Sequence, residues 1–333
     1  VAAGNAPMFQ LLLESGAEKD GLELNLLPLA VFAYEKRQKD ITKQLLEKGA
    51  DVKKAGSRGE TLLHSVAAQD DWQFANLVLG YNPDLNARDD TGRTPLLSAI
   101  DKSAIRVAGL LMEKGADVNV KDRQGQTSLH YLAAARNATG LMEKAKAAGI
   151  RVDAKDNAGR TPLAIAVESN RVDNVEYLLN MGADVNGTDH NGVDLILVAY
   201  GKNRAMLNLF ITKGARLDVR APDGKTLLLM SLEQNDTPLL KLLTEKGANV
   251  NEKQANGKYP LEFAIEKRSY NNAKLLLDNK AEHGVRTEKG NPLLALAIEK
   301  KTDTIAKLLL DKGADPNGRD ASNRLHLQQA FDE

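Results

Sequence analysis

Apolar positions in this chain come in paired bursts separated by polar turns, and the clearest example lies between Asn119 and Asn186. Leu163, Ile165, Ala166 and Val167 follow Thr161-Pro162; Val175, Leu178 and Leu179 follow a turn at Asn170-Arg171. Threonine caps a helix N-terminus, and proline suits the first helical position, where no amide needs a partner. The pattern therefore predicts a short first helix from Thr161, apolar on the side that sits between its neighbours. It predicts a second helix stopped by Gly182, because glycine terminates helices by leaving the helical conformation at no steric cost. Ala183-Asp184-Val185-Asn186 then runs into Asp189-His190-Asn191-Gly192, whose Asn-Gly favours a reversal with positive φ. The expected unit is helix, turn, helix and a short extended finger.

A closing marker, Leu-Leu-x-x-Gly-Ala-Asp, repeats this unit along the chain. Its glycine, or the residue in its place, falls at Gly16, Gly49, Asn82, Gly115, Gly149, Gly182, Gly214, Gly247, Lys280 and Gly313. The successive spacings are 33, 33, 33, 34, 33, 32, 33, 33 and 33. A fixed period in this range marks a repeat architecture, in which each unit is too small to bury a core alone and must stack on its neighbours. The expectation is one elongated domain over residues 1–333, in place of the two or three globular domains that the length of 333 residues suggests. It comprises a partial repeat over 1–20, repeats closing at the positions above from 49 to 313, and a partial terminal repeat over 320–333.

The first helices carry a second string: Gly92-Arg93-Thr94-Pro95-Leu96, Gly125-Gln126-Thr127-Ser128-Leu129-His130, Gly159-Arg160-Thr161-Pro162-Leu163 and Gly224-Lys225-Thr226-Leu227-Leu228. With the closing Gly115-Ala116-Asp117-Val118-Asn119 and Gly182-Ala183-Asp184-Val185-Asn186, the chain resembles the ankyrin repeat family over its whole length. The resemblance implies an all-α solenoid of helix-turn-helix units with short β-hairpin fingers. It also implies that His64 and His130, in the motif's histidine slot, make polar contacts between neighbouring units.

Departures from the pattern carry their own expectations. One extra residue lies between Leu132 and Gly149, and one fewer between Ala199 and Gly214. With Gly140 in the lengthened stretch, a distorted second helix and a local change of curvature are expected there. Asp194-Leu195-Ile196-Leu197 replaces the threonine string but is expected to keep an aspartate cap. Val1 falls within an incomplete unit with no polar cap, and Leu325 to Ala330 supply a first helix without a second; the expectation is a portion of a longer polypeptide.

Charge is balanced, with 45 basic and 45 acidic residues, so no sequence-wide field steers nucleic acid or an anionic membrane toward the chain. No apolar run approaches the roughly 20 residues that cross a bilayer. The chain reads as soluble, cytoplasmic in preference to exported or bacterial periplasmic. The absence of cysteine excludes disulfides, thiolate metal sites and cysteine nucleophiles. The five histidines are scattered without metal-ligand spacing, and no phosphate loop, nucleophile elbow or calcium loop is present. Neither a cofactor nor catalysis is expected.

Function is expected on the concave face, which the resemblance assigns to fingertips and first-helix ends. The candidate contact residues are Asp90, Arg93, Arg123, Gln126, Asn157, Arg160, Glu168, His190, Lys202, Lys225, Glu233 and Lys258. Arg93, Arg160, Lys225 and Lys258 precede the cap position and align along one edge. They read as a phosphate-tracking stripe or, in preference, as a solvated face, since Glu168, Glu233 and Glu266 lie close by. Tyr131 and Phe263 fall in a slot normally buried, so polar recognition is expected over an aromatic hot spot. The role expected is a protein-binding scaffold, adaptor or inhibitor, with a targeting arm of a larger enzyme or secreted effector as the alternative.

Overall fold

The computed structural model describes residues 6–20, 28–254 and 257–332. Twenty helices and no sheet occur among them. They divide into two compact units, Val1–Gly192 and Val193–Glu333. The first holds α1 (Ala6–Glu14) and the pairs α2 (Leu29–Glu35) and α3 (Lys39–Glu47), α4 (Leu62–Ala67) and α5 (Trp72–Leu79), and α6 (Pro95–Asp101) and α7 (Ile105–Glu113). It continues with α8 (Ser128–Ala134) and α9 (Thr139–Ala147), then α10 (Pro162–Glu168) and α11 (Val172–Asn180). The second unit holds α12 (Leu195–Lys202) and α13 (Arg204–Thr212), α14 (Leu227–Glu233) and α15 (Thr237–Glu245), and α16 (Pro260–Glu266) and α17 (Tyr270–Asp278). It closes with α18 (Leu293–Glu299) and α19 (Asp303–Asp311), followed by α20 (His326–Asp332), which packs on α18. The expectation for residues 1–5 lies outside the described residues.

The Leu-Leu-x-x-Gly-Ala marker is a helix-stop device. Gly115 has φ 89°, its amide donates to Met112, and the Ala116 amide reaches back to the Leu111 carbonyl at 3.0 Å. Those two bonds satisfy carbonyls that the helix end would orphan. The Gly182 repeat closes the same way on Leu179 and Leu178. Leu111 and Leu178 are fully buried, so the marker joins core packing to chain reversal. Asn82 (φ 53°) and Lys280 (φ 65°), which lack the glycine, adopt the same left-handed conformation.

Caps follow the sequence in part. The hydroxyls of Thr94, Thr161 and Thr226 accept the amides of Leu97, Ala164 and Leu229 at 3.2–3.3 Å. Asp194 stands at the start of α12 but caps nothing; its carboxylate accepts Arg216 at 3.1 Å instead. The expected β-hairpins shrink to turns. Only isolated antiparallel bridges, such as Arg220 with Thr226 and Arg286 with Pro292, occur among the described residues.

The lengthened repeat absorbs its extra residue in the turn between helices, whereas in the shortened repeat the turn contracts to Asn203 and α12 runs to eight residues against seven in α10 and α14. The second helix α9 keeps nine residues, as α7 and α11 do, despite Gly140. Its extra residue lengthens the turn after Ala134, where Ala135 becomes extended (ψ 157°). This releases carbonyls at the end of α8, and the next repeat satisfies them. The buried Asn174 amide nitrogen donates to Leu132, Ala133 and Ala135 at 2.8–3.1 Å, and Arg171 Nε donates to Ala134. In the shortened repeat no left-handed residue separates α12 from α13. Asn203 (φ −159°) ends one helix and caps the other through the Ala205 amide. A turn residue is the cheaper place for such a change, because a helix interior would forfeit its i to i−4 bonds.

Two outcomes follow. Asn174→Leu strands buried carbonyls and is expected to lower the unfolding free energy by about 2 kcal/mol in urea denaturation. Lys280→Gly removes a left-handed Cβ and is expected to raise it by about 0.5–1 kcal/mol, after the entropic cost of glycine.

Candidate interaction face

Several fingers are built on an aspartate, while Gly56, Ala221, Gln254 and Thr287 hold that slot in others. Asp89 Oδ1 accepts the amides of Thr91 (2.8 Å) and Arg93 (2.9 Å); Asp122 serves Gln124 and Gln126, and Asp156 serves Ala158 and Arg160, in the same way. Burial opposes the charge on Asp89 and Asp156, yet these bonds hold both carboxyls below their usual range. In the first unit the tips bond to one another. Asp90 N donates to Arg58 O (2.8 Å), Arg123 N to Thr91 O (2.9 Å) and Asn157 N to Gln124 O (2.9 Å). The approach is close enough that a Cβ on Gly92 would lie 2.8 Å from the Arg123 nitrogen, and one on Gly125 would lie 2.8 Å from that of Asn157. Glycine is required there for space as well as for its positive φ.

The histidine slot ties units together as expected. His64 Nδ1 accepts the Thr61 amide at 3.2 Å, which leaves Nε2 to donate to the Arg93 carbonyl of the next repeat at 3.1 Å. His130 repeats this with Thr127 (3.1 Å) and Arg160 (3.2 Å). Both rings are buried. Desolvation lowers their pKa, outweighing the bonded carbonyls and nearby carboxylates.

The basic edge is a ladder of internal ion pairs. Each pre-cap base meets the acid eight residues on, at the end of the same first helix: Arg93–Asp101 (3.1 Å), Arg160–Glu168 (3.6 Å), Lys225–Glu233 (3.0 Å) and Lys258–Glu266 (2.6 Å). This arrangement favours the solvated-face reading over a phosphate stripe. Arg93 also donates to the Tyr131 hydroxyl (3.0 Å) and lies 5.5 Å above its ring, while that hydroxyl donates to Asp122 (2.7 Å). Burial and the Asp122 carboxylate push the Tyr131 phenol well above its usual range.

Of the twelve candidates, Asp90, Arg93, Arg123, Gln126, Asn157, Arg160, Glu168 and His190 belong to the first unit, and Lys202, Lys225, Glu233 and Lys258 to the second. Asp90, Arg123, Asn157, His190 and Lys202 are exposed, and the others are half-buried. His190 Nδ1 lies 3.2 Å from Glu168, which joins a fingertip to the ladder. Arg93 and Asp90 share one groove. Sequence reasoning missed an apolar row in the second unit. The position after the histidine slot is occupied by Val198, Met230, Phe263 and Leu296; the first three are half-buried, and Lys267 lies 5.5 Å from the Phe263 ring. Tyr131 and Phe263 are therefore partly accessible, and the signal was the recurrence of apolar residues at that slot. Among the described residues no group of acids and histidines could hold a metal ion, and no helix is long and apolar enough to cross a membrane.

Comparison with known proteins accords with this geometry. The family model for ankyrin repeats matches residues 27–122, 110–189 and 195–287, and the chain belongs to that family. Similar stretches occur in the mouse (Mus musculus) NF-kappa-B inhibitor delta, 36% identical over 75 residues (22% of this chain and 23% of that protein). Protein PhlB of Serratia liquefaciens is 36% identical over 84 residues (25% and 36%), and mouse inversin is 44% identical over 64 (19% and 6%). The similarity thus covers 6–36% of the length of these three relatives.

The paired histidines set a pH dependence. Their folded pKa values lie below the unfolded value of 6.5, so unfolded chains take up protons first as pH falls. Their contribution is intact above pH 6.5 and is lost as pH falls through the folded values. Urea midpoints are expected to drop from pH 7 to pH 5. The His64→Gln/His130→Gln variant, which keeps an acceptor for the threonine amide, is expected to flatten that drop.

Proposed function

We propose that the chain is a non-catalytic scaffold, adaptor or inhibitor that grips a protein partner along the face formed by fingertips and first helices. Ankyrin repeats generally mediate protein–protein interaction, and the observation that carries the reading here is the cross-bonded row of tips. Backbone bonds between fingers pre-order Asp90, Arg123 and Asn157, so presenting their side chains costs little further ordering. The ion-pair ladder orients charge without a large net field, and the half-buried row of Val198, Met230 and Phe263 supplies apolar contact. The similarity to an NF-kappa-B inhibitor supports the inhibitor branch. A targeting or recruiting arm of a larger enzyme or secreted effector is the second reading. It is favoured by the small share of inversin, 6%, that the similar stretch represents.

Site-specific photo-crosslinking tests the face. A benzoylphenylalanine at Asp90 or His190 is expected to capture the same protein from the native host, while one at Glu176 on α11 captures none. Equal capture from all three positions refutes the assignment.

A further inference from the structure

One pre-cap slot carries an acid instead of a base. In the repeat of α4 the pre-cap slot that holds Arg93, Arg160, Lys225 and Lys258 in the four laddered repeats, and the uncharged Gln126, Val193 and Asn291 in three others, is Glu60, and the position eight residues on is Ala68. Glu60 lines an open groove of about 400 Å³ between the α2, α4 and α6 repeats. Its side chain is only 12% exposed, and both carboxylate oxygens are shielded from solvent without a hydrogen-bond donor. A carboxylate so placed bears a desolvation cost that a charged donor would relieve. The nearest cation, Arg58, stands 3.6 Å away, beyond hydrogen-bond reach, with its own side chain 78% exposed.

The groove around it is acid-rich. Glu35, Asp89, Asp90 and Asp101 share its walls. Arg93 and Lys102, the other bases there, already contact Asp101 at 3.1 and 3.3 Å. Glu35 accepts the neutral Ser65 hydroxyl at 3.2 Å. The groove therefore has carboxylate in excess and no cation hydrogen-bonded to Glu60.

We infer that this groove is the socket for an arginine or lysine side chain of a protein partner, which takes the place that the pre-cap base holds in the four laddered repeats. The inference rests on the reading that this face binds protein, and it names the chemistry of the contact. The incoming cation donates to Glu60 and is flanked by Glu35 and Asp89; a neutral or acidic side chain leaves Glu60 unrelieved.

Isotope-labelled full-length chain titrated at low salt with acetyl-Gly-Gly-Arg-Gly-Gly-amide tests it. Amide shifts are expected at Glu60, His64 and Asp89 to Thr91, and not with the same peptide carrying neutral citrulline. Glu60→Gln is expected to weaken binding about tenfold, the value of one charged hydrogen bond. Glu60→Arg/Ala68→Glu rebuilds the ladder and is expected to abolish binding while the remaining spectrum stays native. Equal response to citrulline, shifts elsewhere, no response, or indifference to Glu60→Gln overturns the socket. Because photo-crosslinking from His190 does not depend on Glu60, its persistence in that case retains the scaffold reading, and its failure overturns that reading separately.

Discussion

Every repeat depends on one left-handed residue at the end of its second helix. That conformation lets two successive amides, or one where Pro83 follows Asn82, fold back onto the last helical carbonyls and sends the chain outward into the finger. The finger in turn places the threonine that starts the next first helix. If the left-handed residue were lost, the register of everything downstream in that repeat would shift. Its conformation survives at Asn82 and Lys280, where glycine does not. The surrounding packing over-determines the backbone and overrides the cost of a Cβ.

Neighbouring units are then held by polar groups that reach exactly one repeat along the chain in sequence and a few ångströms in space. The histidine Nε2 donates to the next repeat's carbonyl, and Asn119 and Asn251 accept the amides of Arg151 and Glu282 at 2.8–2.9 Å. Such bonds keep buried backbone groups satisfied while aliphatic side chains supply most of the core. Asn174 shows the same economy under stress, because it caps the helix that the inserted residue left open.

The interaction face inherits its properties from this frame. First helices of two turns bring a pre-cap base and a terminal acid within reach, so charge there is mostly spent internally. On the proposed reading, recognition falls to what the ladder leaves over. That is the exposed tips, the half-buried row of Val198, Met230 and Phe263, and the slot at Glu60 where an acid replaces the base.

The helix pairs, their boundaries, the closing glycines and the histidine links were legible from residue types at a fixed period. Local chemistry decides them: proline at a first turn, threonine at a cap, a residue able to turn left-handed. The position of the added and deleted residues was legible, but their fate was not. Whether a helix bends or a turn lengthens depends on which neighbour can satisfy the freed carbonyls, and that neighbour, Asn174, lies some forty residues away. Likewise Asp194 carries a capping side chain that Arg216 draws elsewhere. The pairing of the ladder, the accessibility of Tyr131 and Phe263, and the shielding of Glu60 all depend on the packing of adjacent repeats. The sequence alone determined the repeating unit because its signals act within a few residues; tertiary structure decided the surface, because burial and charge pairing there depend on side chains from different repeats.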